Sequence, residues 1–210
     1  MMTPNARDAL ETLRSAAEFN WAIVPILVIV IWLYANEVER RRWGVVFGGL
    51  ALLAADTFNE LWNSAFFHLT GRAPVWGAPG HSSYQILIGW NIEIVLMFTV
   101  LGLAAAKLLP NDRTLTILGI PNRVFFVGVN AALAVGIEIV LNKMGVLTWD
   151  WWWWSPGFPF IIWLIGYVPF FAACFWVHDL PDNRARVRAV GAMFGINLLF
   201  AIGLGLAGWL

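Results

Sequence analysis

Cysteine is almost missing from this chain. Cys174 is the only one and falls inside an apolar run, so the fold cannot rest on disulfides within the chain. Charge is scarce as well. Asp, Glu, Lys and Arg make up 12% of the residues and cancel to +0, which leaves no basic field for nucleic acid. No phosphate-cradling glycine loop, diphosphate-binding Asp cluster or Ser/His hydrolase pattern occurs, and no internal repeat. The first apolar segment is not expected to be a cleavable signal: Asp8, Glu11 and Glu18 precede it, and it ends in a charged run from Asn36 to Arg42.

What is abundant is apolar. Hydrophobic residues reach 60% with 14 Trp, and the mean hydropathy is +0.72, a composition that would aggregate in water. The chain reads as an all-α, polytopic membrane protein. With each span consuming about 20 residues, 210 residues leave no room for a soluble domain, so residues 1–210 are read as one transmembrane domain. Residues 1–18 are polar and expected to form a short interfacial helix. Six spans follow, at about 21–35, 44–67, 84–108, 123–145, 158–177 and 187–209, forming a compact bundle. Pro169 is expected to kink the fifth.

Lys and Arg placement sets the orientation. With the amino terminus outside, Arg40, Arg41, Arg42, Lys107, Arg113, Arg123, Arg184, Arg186 and Arg188 are inside, against Arg7, Arg14, Arg72 and Lys143 outside. Both termini are therefore expected outside a cell membrane. The arginines are topology determinants first, and Lys143 is expected to snorkel to headgroups rather than pair with Asp150. The outer loops then hold a turn-rich stretch from Thr70 to His81 and the run Trp149-Asp150-Trp151-Trp152-Trp153-Trp154. Most of these rings suit an interfacial belt, but four in succession cannot face one headgroup layer, so some are expected to turn inward as a lid.

Polar residues inside the spans are the informative exceptions. In the second span Asp56, Asn59, Glu60 and Asn63 follow the helical spacing i, i+3, i+4, i+7 and share one arc of roughly 100°. An ionised carboxylate facing lipid costs at least a few kcal/mol, so the stripe must point inward. In the third span Gln85, Gly89 and Glu93 are expected on one face, with Trp90 beside it. In the fourth, Asn130, Ala134, Glu138 and Asn142 repeat every four residues, near small surfaces at Gly128, Ala131, Ala132 and Gly136. The sixth offers Asn197, with Gly191 and Gly195 as a helix-contact surface. At about 1.5 Å per residue, Asp56, Glu60, Glu93 and Glu138 come to similar levels between the midplane and the outer surface.

A polar chamber in the outer half is therefore expected, with Asp56, Glu60, Glu93 and Glu138 as acid–base groups. Asn59, Trp62, Asn63, Trp90, Asn130, Asn142, Asp150 and Trp151 are its candidate substrate contacts. Carboxyls crowded in a low dielectric cannot all be ionised, so at least one is expected to keep its proton and serve as general acid beside an ionised neighbour. Aromatic faces there can stabilise a developing cation. The plainer reading makes the same Asn, Glu and Asp interhelical hydrogen-bond glue, worth about 0.5–2 kcal/mol each. It suits the asparagines better than two acids one turn apart.

No metal or cofactor is expected. His68, His81 and His178 share no common depth, which argues against a haem between spans, and a metal site from His68, His81 and Asp150 has no helical ligand spacing behind it.

Asn59-Glu60-Leu61-Trp62-Asn63 resembles, over one helical turn, the Asn-x-x-Trp-Glu segment of small membrane-bound terpene cyclases. Asn63 stands where that group carries an acid. The resemblance implies a reaction class, acid–base chemistry on an isoprenoid-like hydrophobic substrate, as in a cyclase or isomerase. Two other classes stay open: a proton- or cation-coupled transporter of a small solute, and an accessory subunit with a protein partner. The inner halves of the helices carry few polar residues for a transport exit.

Overall fold

A computed structural model of the chain describes residues 1–80 and 82–210; His81 lies outside the described residues. The chain is mostly helical. Helix α1 (Pro4–Glu11) starts where the Thr3 hydroxyl accepts from the Ala6 N–H and Pro4 opens the first turn. Its Ala6 and Ala9 face is buried against Phe67, Ala73 and Ile88. Helices α2 (Ile23–Glu39), α3 (Trp43–Thr70), α4 (Ile92–Lys107), α5 (Asn122–Lys143), α6 (Pro159–His178) and α7 (Asn183–Leu206) follow. Four of them, α3, α5, α6 and α7, are long and apolar enough to cross a membrane; α2 and α4 have 17 and 16 residues.

Helix α3 is the centre of the bundle. It packs against α4, α6 and α7, while α2 lies on α3 and α4, and α5 lies on α6. At the α3–α4 crossing a Cβ on Gly102 would stand 2.8 Å from the Gly49 carbonyl oxygen, so the backbones approach as closely as only glycine permits. On α7 Val190, Asn197 and Leu204 face α3, and the Asn197 amide donates to the Ala54 carbonyl at 2.8 Å. Gly191 and Gly195, expected as the contact surface, instead have open space beside them, because the face carrying Asn197 is the one turned inward.

Two expected elements differ in form. Residues 84–91 are not helical: Gln85–Leu87 (β1) and Trp90–Asn91 (β2) pair as an antiparallel hairpin, and α4 begins only where the Asn91 side chain accepts from the Ile94 N–H at 2.9 Å. The Asn91 cap and the tight turn at Ile88 and Gly89 overrode hydropathy, so Gln85, Gly89 and Glu93 share no helical face. In α6, the backbone widens into a π-helical turn at Ile162–Tyr167, just before Pro169, instead of simply kinking.

The end of the bundle that carries Glu37 and Asp179 is closed by ion pairs. Buried Glu37 accepts from Lys107 Nζ at 2.7 Å and lies 3.4 Å from Arg42 Nη1. Arg123 grips Asp179 through Nε at 2.8 Å and Nη2 at 2.9 Å, with Arg113 at 3.6 Å and His178 Nδ1 at 2.8 Å. Burial alone would raise the Asp179 carboxyl. The hydrogen bonds from Arg123 and His178 and the charges of Arg123 and Arg113 outweigh it and hold the group below the usual aspartate range.

Candidate functional site

The stripe on α3 does turn inward, and Asp56, Glu60 and Asn63 are each met by a group from outside the helix. Asp56 Oδ2 accepts from the Trp90 indole N–H at 2.9 Å, which the β1–β2 hairpin brings over it. One turn further out, Glu60 Oε1 accepts from Trp76 Nε1 at 2.8 Å. Asn63 explains why Trp76 is there. Its carbonyl oxygen accepts from the N–H groups of Val75 (2.7 Å) and Trp76 (3.4 Å), and its amide donates to the Trp76 carbonyl at 2.7 Å. One buried asparagine thus folds the loop after α3 back over the stripe. Gly89 leaves the space: a Cβ there would be 2.6 Å from the Trp76 ring.

Opposite α3, Glu138 of α5 is buried, and the Tyr167 hydroxyl stands close enough to hydrogen-bond with its carboxyl. The π turn delivers Tyr167 to that position, and Trp163 Nε1, donating to the Gly128 carbonyl at 2.9 Å, fastens the same turn to α5. Trp154, the last ring of the tryptophan run, stacks on Trp76 with centroids 5.3 Å apart and is seated against Gly166. Trp152, two residues earlier, is exposed.

These groups enclose one cavity of about 430 Å³. Asp56, Asn59, Glu60, Glu93, Asn130 and Glu138 line it, together with Trp76, Phe98, Trp154, Tyr167 and Phe170. Asp56, Glu60 and Glu138 are near enough to act on one another electrostatically. Among the described residues no Lys or Arg is in the wall. Glu93 sits at the rim, half-buried, holding Ser82 Oγ (2.6 Å) and the Ser83 N–H (2.8 Å). The side walls are α4 and α5, which have little direct contact with each other: both lean on α6. Between them the cavity opens sideways, past Leu133 and Met97, exposed at 62% and 43%.

Other expected contacts lie outside the cavity. Trp62 packs behind Trp76, with centroids 6.3 Å apart, and Trp90 and Asn63 act through Asp56 and the loop. The Asn142 amide donates to the Leu147 carbonyl at 3.0 Å and shapes the turn after α5. Asp150 accepts from Thr3 Oγ1 (2.5 Å) and Asn5 Nδ2 (2.7 Å), tying α1 to the tryptophan run, and Trp151 Nε1 donates to the Pro74 carbonyl at 2.9 Å. Among the described residues no three His, Cys, Asp or Glu side chains gather tightly enough to hold a metal ion. His68 instead stacks on Trp209, 5.8 Å between centroids. Two lining residues had no readable signal: Tyr167 sits in a uniformly apolar run, and Trp76 in a loop without period.

The cavity is chemically unfinished. Glu60 Oε2, Glu138 Oε2 and Trp154 Nε1 are buried without a hydrogen-bond partner among the described residues. Each such group costs about 1–3 kcal/mol unless something supplies the missing bond.

Residues 3–205 match the model of a family described as an uncharacterized membrane protein family. The chain belongs to this family. It is similar to a protein of Archaeoglobus fulgidus described as an uncharacterized protein, 46% identical over 202 residues that cover 96% of this chain and 94% of the relative. A second uncharacterized protein of the same organism is 38% identical over 53 residues, 25% of this chain and 95% of that relative. No solved structure matches the chain. Family membership agrees with the apolar helices in making this a multi-pass membrane protein.

Proposed function

We propose that the chain binds a hydrophobic, lipid-like or isoprenoid-like molecule in this cavity and acts on it by carboxyl acid–base chemistry of the cyclase or isomerase kind. The whole chain acts as one domain in this reading. Helices α2 and α4 also span, giving six crossings with both termini outside a cell membrane and the cavity in the outer half. The observation that carries the proposal is the side-opening cavity whose wall holds Asp56, Glu60 and Glu138 but, among the described residues, no Lys or Arg. Where no Lys or Arg balances them, the three cannot all be ionised, so a proton donor and an ionised base can coexist in one apolar space. Aromatic faces of Trp76, Trp154 and Tyr167 then stand ready for a cationic intermediate.

Glu60 or Asp56 is the proposed donor, with Glu138 and the rim residue Glu93 as partners. Transport is the weaker reading, since the Glu37–Lys107 and Arg123–Asp179 pairs pack the inner end where an exit would lie. The test is Glu60→Gln in proteoliposomes supplied with an isoprenoid lipid extract in deuterated water. Deuterium incorporation or product formation should fall by at least about 10²-fold, while insertion and helix content stay as in wild type. Unchanged turnover removes the proposal.

A further inference from the structure

The three unpartnered groups say more than that something binds. Glu60, Glu138 and Trp154 are 4%, 9% and 2% exposed, and all three line the cavity. Trp154 Nε1 can only donate, so whatever completes the site must offer an acceptor. The free carboxylate oxygens, where ionised, call for a donor. A hydrocarbon offers neither, and an ammonium group offers no acceptor. A phosphate offers acceptors but would enter a wall holding four carboxyl residues and no Lys or Arg. A hydroxyl donates and accepts through one oxygen.

The shape narrows the molecule further. A cavity of about 430 Å³ suits a drug-sized ligand rather than a complete membrane lipid. The gap between α4 and α5 faces outward through apolar side chains, Leu133, Ile137 and Met97, so a longer chain can remain in the hydrocarbon with only its end inside. We infer that the cavity accepts the uncharged, hydroxyl-bearing end of an isoprenoid-like lipid, which enters from the bilayer between α4 and α5. This rests on the hydrophobic-substrate reading above and adds to it the end group and the route.

The test uses full-length protein in phosphatidylcholine nanodiscs, equilibrated with equal amounts of four probes: geranylgeraniol, a hydrocarbon of the same chain, geranylgeranylamine and geranylgeranyl diphosphate. Native mass spectrometry after release counts what the protein retains. The alcohol should exceed each of the others by about tenfold or more, because a site built to pair a hydroxyl rejects analogues that lack it. Trp154→Phe should erase the preference for alcohol over hydrocarbon without reducing hydrocarbon retention. Leu133→Trp, which fills the gap from an exposed position, should cut alcohol retention several-fold, and Leu199→Trp on the outer face of α7 should not.

Hydrocarbon retained as well as alcohol would mean that water completes the three groups. That result overturns the hydroxyl end group while leaving a hydrophobic site. Amine or diphosphate retained as well as the alcohol overturns the uncharged end. Retention indifferent to Leu133→Trp overturns the route. Retention of none of the four overturns this inference and the proposed function together.

Discussion

The two ends of the bundle treat their carboxyls in opposite ways. At one end Glu37 and Asp179 each sit against cations, Lys107 and Arg42 for one, Arg123 and Arg113 for the other. Around the cavity, Asp56 and Glu60 receive hydrogen bonds from indole N–H groups and Glu138 meets a phenol. A carboxylate fixed by a guanidinium or ammonium is committed to its charge and holds helices in place. One met only by neutral donors keeps both protonation states within reach, the property an acid–base group needs. The same residue type is thus tied to cations at one end of the bundle and, in the function proposed above, available for chemistry at the other.

Substitutions can break that contrast, and the strongest effect belongs to the ion-paired end. Lys107→Met leaves buried Glu37 with only Arg42, 3.4 Å away, and should lower stability by about 3 kcal/mol, read as a fall in melting temperature in detergent. Arg123→Ala should cost about 2 kcal/mol by removing the two charge-assisted hydrogen bonds to Asp179 together with those to the Pro110 carbonyl and Asn122 Oδ1. It also carries a pH signature. Asp179 is held below its unfolded value, so its contribution is complete above the ordinary aspartate pKa of about 4 and is lost as pH falls through the lower folded value. Wild type should therefore lose stability on acidification through that window, and Arg123→Ala should show a flatter slope there.

Where α1 meets the tryptophan run, Asn5→Ala removes one of the two bonds to Asp150 and should cost about 1 kcal/mol, seen as faster proteolysis within residues 1–18. The smallest effect is expected at the cavity. Glu138→Gln keeps shape and hydrogen-bonding capacity without a charge to desolvate, so melting should move by less than about 1 kcal/mol in either direction. A large loss there would make Glu138 a structural acid like Glu37 and dissolve the contrast.

Sequence reading succeeded where one period governs a whole element. Asp56, Asn59 and Glu60 lie on one unbroken helix, so their common face follows from the 3.6-residue repeat, and Glu138, on another, lines the same cavity. It failed where local hydrogen bonding overrides hydropathy. The Asn91 cap starts the third expected helix at Ile92 instead of Tyr84 and leaves Trp90 on a hairpin, where its indole reaches Asp56 from outside. Directions within the loops had no period to read. Asp150, expected near substrate, is taken up by Thr3 and Asn5, whereas Trp76, unremarked in the sequence, covers Glu60. Tyr167 is where it is because a π turn adds a residue to one coil of α6, an irregularity invisible in a run of apolar letters.

Cys174 is wholly buried, its sulfur 3.5 Å from the Gly102 carbonyl at the core of the bundle. Since the protein's single thiol is out of reach of reagents, a cysteine introduced anywhere on the periphery becomes a unique labelling handle, with no need to strip the native background. Spin labels on the flanks of α4 and α5, at positions 97 and 133, would report by their distance distribution how wide the doorway stands and how often it breathes.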